Sequence, residues 1–115
     1  MSARVFVDVS DLASGTLRAI EAHGRRLVLC RTEDGVYALE NRCPHAFVPL
    51  DAGRLHGHVL ECPLHGGRLD VRDGSPCAAP IRKPAIRYAV RAVAGGIEID
   101  LGPAPETPRR EACTT

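Results

Sequence analysis

Residues 43–74 read CPHAFVPLDAGRLHGHVLECPLHGGRLDVRDG, and two short words in this stretch govern the reading of the whole chain. The first is Cys43-Pro44-His45 and the second Cys62-Pro63-Leu64-His65, with 16 residues between His45 and Cys62. Each word pairs one thiol with one imidazole and stiffens the backbone with a proline beside the cysteine. Two thiolates and two imidazoles suit either zinc or an iron–sulfur centre in which histidines replace two cysteines on one iron. Zinc fingers usually group Cys with Cys and His with His. Here each loop supplies one of each, which suits a two-iron cluster gripped between two loops. Each loop then sends its Cys to an inner iron and its His to an outer one. The arrangement favours iron–sulfur over zinc.

Outward from this stretch the chain reads as short strands broken by turn signals. Val5, Val7 and Val9 alternate with polar or exposed positions, the period of a half-buried strand. Thr16 to Ala22 leads into a turn at His23-Gly24, and Leu27 to Cys30 reads as the returning strand. Asp34-Gly35, followed by Val36 to Leu39, is a hairpin signal. Between Asn41 and Pro80 only Val59-Leu60 and Leu69 to Val71 look like strands, so this stretch is expected to form two loops on short hairpins. Asp73-Gly74 marks another turn, and Ser75 to Pro80 reads as a stiffened loop with few backbone donors. Ile86, Tyr88, Val90 and Val93, a Gly95-Gly96 turn, and Ile97, Ile99 and Leu101 make a final hairpin with one apolar face. The expectation is an all-β domain over residues 1–102, with a loop-rich lobe at about 41–80. The proline-containing tail at 103–115 is expected to be flexible.

Composition narrows the function classes. A chain of 115 residues has room for one domain, and 44% hydrophobic with 25% charged residues is ordinary for a folded protein. Aromatic residues make up 3%, with no Trp, which argues against a reader of single-stranded nucleic acid. The net charge of +1 gives no strong field toward DNA or an anionic membrane. The N-terminus lacks the apolar core of a signal peptide, and no segment approaches the roughly 18 apolar residues of a membrane helix. A cytoplasmic location is the default expectation. Five cysteines fit metal binding plus spare thiols better than a disulfide framework.

The stretch at 43–74 resembles the cluster-binding segment of Rieske proteins, with the pattern C-x-H-x16-C-x2-H. The resemblance runs from about Val5 to Leu101 and includes RTEDGVYAL at 31–39. It is strongest to the stand-alone Rieske ferredoxins of bacterial aromatic-ring-hydroxylating dioxygenase systems. It implies a Rieske iron–sulfur fold, an antiparallel β-sandwich base carrying a smaller cluster-binding lobe. It also implies one [2Fe–2S] cluster, with Cys43 and Cys62 on one iron and His45 and His65 on the other through Nδ1. Leu64, Gly66, Gly67 and Pro80 would surround those ligands. The implied role is one-electron transfer from an NAD(P)H-dependent flavin reductase to a terminal oxygenase, by a monomer with no catalytic residues of its own.

The ligand set has a redox consequence. With two ferric ions, two sulfides and two thiolates the oxidised cluster is formally neutral, so its potential lies above that of an all-Cys ferredoxin, within roughly −150 to +300 mV. Respiratory Rieske proteins add a loop-to-loop disulfide and a Ser and a Tyr that donate hydrogen bonds toward cluster or ligand sulfurs. Here the matching positions hold Phe47 or Val48 with Leu64, and Gly67 with Leu69. With those donors missing, the potential is expected near the low end, around −150 mV.

Other readings are set beside this one. The same cluster also suits the small subunit of an assimilatory nitrite reductase, and a zinc-stabilised interaction module is the alternative from another class. His56 and His58 read as exposed polar residues around Gly57, and His23 as a surface residue in a hairpin. Cys30 falls in an apolar alternation and reads as a packed side chain. Cys77 lies in the loop that, by resemblance, covers the cluster, and a packing role is expected. Cys113 is expected to be a free thiol in the tail. Arg42, Arg54 and Arg68 flank the ligand loops; ring-hydroxylating ferredoxins are often acidic, and this chain is nearly neutral.

Overall fold

His23 (φ 52°) and Gly24 (φ 76°) both take left-handed backbone, as a two-residue type I′ hairpin turn requires. They join the strands Leu17–Ala22 and Arg25–Thr32, which pair antiparallel from Ala22↔Arg25 to Leu17↔Cys30. The computed structural model describes residues 4–44, 48–64, 66–79, 81 and 83–101. Ten strands run through them: β1 Arg4–Val7, β2 Leu17–Ala22, β3 Arg25–Thr32, β4 Gly35–Glu40, β5 Arg54–His56, β6 Val59–Glu61, β7 Arg68–Asp70, β8 Pro76–Ala78, β9 Arg87–Val93 and β10 Gly96–Asp100. A short 3₁₀ turn, Leu50–Ala52, precedes β5.

Six strands form one antiparallel sheet in the order β1-β10-β9-β4-β3-β2, and four form a smaller sheet in the order β5-β6-β7-β8. The larger sheet curls on itself, because one core takes side chains from all six of its strands. Leu27 and Leu29 of β3, Ala38 of β4, Tyr88 of β9 and Ile97 and Ile99 of β10 are buried there, with Val5, Val7 and Ile20 packed against them. The base expected as a sandwich is therefore one curled sheet, consistent with the Rieske fold.

β3 shows why its apolar run is unbroken. Leu27 and Leu29 face the core of the base, while Val28 and Cys30 join a second core beneath the smaller sheet. A strand covered on both faces loses the polar alternation of a half-buried one. The second core contains Leu39, Leu50, Leu60, Leu69, Val71 and Ile81, and both Cys43 and Cys62. Burying a Leu side chain fully contributes about 1.5–3 kcal/mol, so this core is a main anchor of the smaller sheet.

The lobe is an insertion between neighbours. β4 and β9 pair directly through Ala38↔Tyr88 and Leu39↔Arg87, and the Glu40 N–H donates to the Ile86 carbonyl at 2.8 Å. Residues 41–86 therefore leave and rejoin the base at one place. Within them the structure corrects two expectations. Ser75 to Pro80 is not all loop: Pro76–Ala78 is strand β8, at the edge of its sheet, where a missing N–H is tolerated. The spacer between the ligand words also holds a strand, β5. Pro80 and the tail at 103–115 lie outside the described residues.

Candidate functional site

Both ligand words begin in the same local device. The Cys43 N–H donates to the Val48 carbonyl at 2.8 Å, and the Cys62 N–H donates to the Gly67 carbonyl at 2.7 Å. In each loop the cysteine is tied to the carbonyl five residues on, so the loop closes over six residues with the thiol at its base. The cysteine side chains point inward: Cys43 is fully buried and Cys62 is 2% exposed.

The first loop is fixed further by Asn41, which sequence reasoning did not single out. Its Oδ1 accepts the backbone N–H groups of Leu50 and Asp51 at 2.7 and 3.0 Å. Its amide Nδ2 donates to Asp51 Oδ1 at 2.8 Å. An Asn side chain that satisfies turn backbone in this way is a common signal, yet its partners lie nine and ten residues away and no local pattern announces them.

The second loop sits at the end of the β6–β7 hairpin, where Glu61↔Arg68 is the last pair. Cys62 meets Cys43 here. Burial pushes the Cys62 thiol up to about 11, an N–H from Leu64 pulls it the other way, and contact with the Cys43 thiol raises it again. Two buried thiols from separate loops thus lie side by side. Such a pair holds its protons until a metal replaces them, because the thiolate is the ligand and binding releases the proton. The donor chemistry fits a thiolate-bound iron.

His45 and His65 lie outside the described residues, so the structure brings together the two predicted cysteines and is silent on the two histidines. Of the residues expected around them, Gly67 is buried, Gly66 half-buried and Leu64 exposed; Leu69, the other position matched to a respiratory donor, is buried. Neither Gly67 nor Leu69 brings a side-chain donor. Cys30 is fully buried in the same core as the two thiols, and burial raises its thiol to about 12. Cys77 is buried on β8 and takes part in a disulfide, so it does more than the packing expected of it.

The two spacer histidines differ. His56 is exposed at the end of β5, with Nε2 3.2 Å from Glu61 Oε1. His58 is half-buried, with Nε2 3.1 Å from Asp34 Oδ1 and its ring edge-on to Tyr37 at 6.3 Å. His58 was expected to be an exposed turn residue; it instead links the lobe to the β3–β4 turn. Among the described residues no helix is long and apolar enough to cross a membrane.

Comparison with known proteins agrees with this geometry. The family model for the Rieske [2Fe-2S] domain matches residues 3–93. The ferredoxin component of the naphthalene 1,2-dioxygenase system of Pseudomonas putida is 35% identical over 95 residues, covering 83% of this chain and 91% of that one. The anthranilate 1,2-dioxygenase ferredoxin subunit of Burkholderia cepacia is 36% identical over 76 residues, covering 66% of this chain and 70% of that one. Among solved structures, the ferredoxin of carbazole 1,9a-dioxygenase from Nocardioides aromaticivorans superposes with a TM-score of 0.78 at 33% identity, covering 95% of this chain and 99% of that one. A chain from the complex of reduced oxygenase and oxidized ferredoxin in carbazole 1,9a-dioxygenase gives 0.79 at 33% identity, covering 84% of this chain and 92% of that one. The chain belongs to the Rieske [2Fe–2S] family and is a ferredoxin, an electron-transfer component rather than an enzyme with an active site of its own.

Proposed function

We propose that Cys43, His45, Cys62 and His65 hold the cluster, and that the protein carries single electrons from an NAD(P)H-dependent flavin reductase to the terminal oxygenase of a ring-hydroxylating dioxygenase system. The observation that carries the ligand assignment is the meeting of two buried thiols, each at the base of a similarly closed loop. When bound, the cluster supplies a site that gains and loses one electron. The chain supplies the rest. The second core holds both cysteines in place, Asn41 locks the first loop, and the loop hydrogen bonds fix where each ligand word starts. Rigid anchoring keeps reorganisation small when the charge changes.

The absence of hydroxyl donors at Gly67 and Leu69 supports a potential near the low end of the Rieske range, around −150 mV. A carrier of that potential suits a chain driven by a reduced nicotinamide. The relatives reported above are dioxygenase ferredoxins, which favours the oxygenase over a nitrite reductase as the destination. We read the protein as a monomer in the cytoplasm.

The test is reconstitution. Candidate reductase and oxygenase components are combined with and without this protein, and product formation is scored. Product that depends on this chain is the expected result. Equal product in its absence, or a voltammetric potential well above zero, contradicts the reading.

A further inference from the structure

Several arginines among the described residues are matched to a carboxylate. Arg4 and Arg91 reach Glu98, Arg18 reaches Asp11, Arg26 reaches Glu21 and Arg72 reaches Asp70. Beside the ligand loops the pattern changes. Arg54, Arg68 and Lys83 are exposed, and among the described residues they have no ion-pair partner. Register places Arg54 and Arg68 on either side of Glu61 across β5, β6 and β7, yet the Glu61 carboxylate is turned to His56 at 3.2 Å.

These cations border both loops. Arg54 lines a groove with Cys62, Pro63 and Gly66, and Lys83 lines another with Arg42 and Pro44. Two of the three acids of the same segments are less available: Glu40 and Glu61 are half-buried, while Asp51 is exposed and accepts a hydrogen bond from Asn41. Between the cysteine and histidine of its second word the chain also exposes Pro63 and Leu64, so an apolar tip stands beside the unpaired cations. An apolar centre with a charged border is how protein docking patches are built. The whole chain carries only +1, so its net charge conceals this local excess.

We propose that the cluster end is a cationic docking face, and that the terminal oxygenase meets it with carboxylates around its own electron-entry point. This rests on the carrier reading above and adds the sign of the contact. Complementary charge of this kind sets orientation and encounter rate more than affinity, so it is read in kinetics and salt dependence.

The experiment uses small redox ions first, so that it does not depend on identifying the oxygenase. Reduced protein is mixed with ferricyanide, which takes one electron and becomes ferrocyanide, and separately with the tris(phenanthroline)cobalt(III) trication, over a range of ionic strength. The ferricyanide rate is expected to fall roughly five- to tenfold from low to high salt, and the cobalt rate to rise. Arg54→Glu with Arg68→Glu, checked for an unchanged reduced-state EPR spectrum, is expected to reverse both trends and to slow oxidation by the oxygenase. Lys83→Glu serves as a second, single-site variant. The redox-inert, paramagnetic hexacyanochromate(III) trianion is expected to broaden amide signals of β5 to β7 and of residues 83–86. Rates flat with salt for both oxidants, or broadening confined to another face, would overturn the proposal while leaving the carrier intact. A protein with a sound cluster and the expected salt trends that passes no electrons to any oxygenase would count against the carrier reading instead.

Discussion

His58 Nε2 lies 3.1 Å from Asp34 Oδ1, and this contact joins the turn of the β5–β6 hairpin to the turn of the β3–β4 hairpin. The same Asp34 oxygen accepts the hydroxyl of Thr32. The Asp34 carboxyl is held below the usual carboxylate value of 3.8, first by the Thr32 hydroxyl and then by His58. A group whose folded pKa is lowered contributes stability that is complete above its unfolded value and is lost as pH falls through the folded one. Asp34→Asn is therefore expected to lower the melting temperature at neutral pH and to leave it nearer that of the parent in strong acid. Thermal melts of both proteins from acid to neutral pH check this. A difference that grows toward acid would contradict it.

Gly53 and Gly57 separate steric cost from backbone cost. A Cβ at Gly53 would stand 2.0 Å from the Glu61 carbonyl oxygen, next to Cys62, with no flexible side chain to give way. At Gly57 (φ 61°) nothing lies within 4 Å, so Ala meets only the left-handed backbone penalty. Gly57→Ala is expected to cost about 1–2 kcal/mol. Gly53→Ala is expected to cost more and also to reduce cluster occupancy. Denaturant titrations, with iron and sulfide analysis of the purified variants, measure both effects.

Asn41→Ala leaves the Leu50 and Asp51 N–H groups without their acceptor. A loss of about 1–3 kcal/mol follows. More specifically, cluster loss to a chelator is expected to speed up, because the first ligand loop loses its anchor. Equal chelation rates for the variant and the parent would show that Asn41 does not position that loop.

The Cys30 thiol is fully buried, and burial raises its pKa to about 12. It is expected to resist alkylation in the native protein and to react once the chain is unfolded, since the thiolate is the nucleophile. Mass spectrometry after iodoacetamide treatment, with and without denaturant, reads this directly. Native labelling at Cys30 would show that the second core opens readily.

How much of this could be read from the residues follows from the range of each interaction. Strands β2, β3, β4, β9 and β10 are long enough to carry a period or an apolar run, and His23-Gly24 and Asp34-Gly35 marked their turns. Strands β5 and β8 have three residues each, and β8 begins with a proline, so neither shows a period. The two Cys–His words were visible because each is contiguous in the sequence. Asn41 with Leu50, and His58 with Asp34, were not, because such partners meet only after the lobe folds back onto the base. The unbroken run at Leu27 to Cys30 was read as a strand, but that it divides between two cores emerges only from the topology.

The central claim is that two cysteines and two histidines, Cys43, Cys62, His45 and His65, hold one cluster. Electron spin echo envelope modulation of the reduced protein, prepared with and without [¹⁵N]histidine, tests it most directly. Two coupled histidine nitrogens are expected in the parent, and one in His45→Cys or in His65→Cys. A reduced protein with no histidine nitrogen coupling, or a purified protein that carries zinc and no EPR signal, would contradict the account.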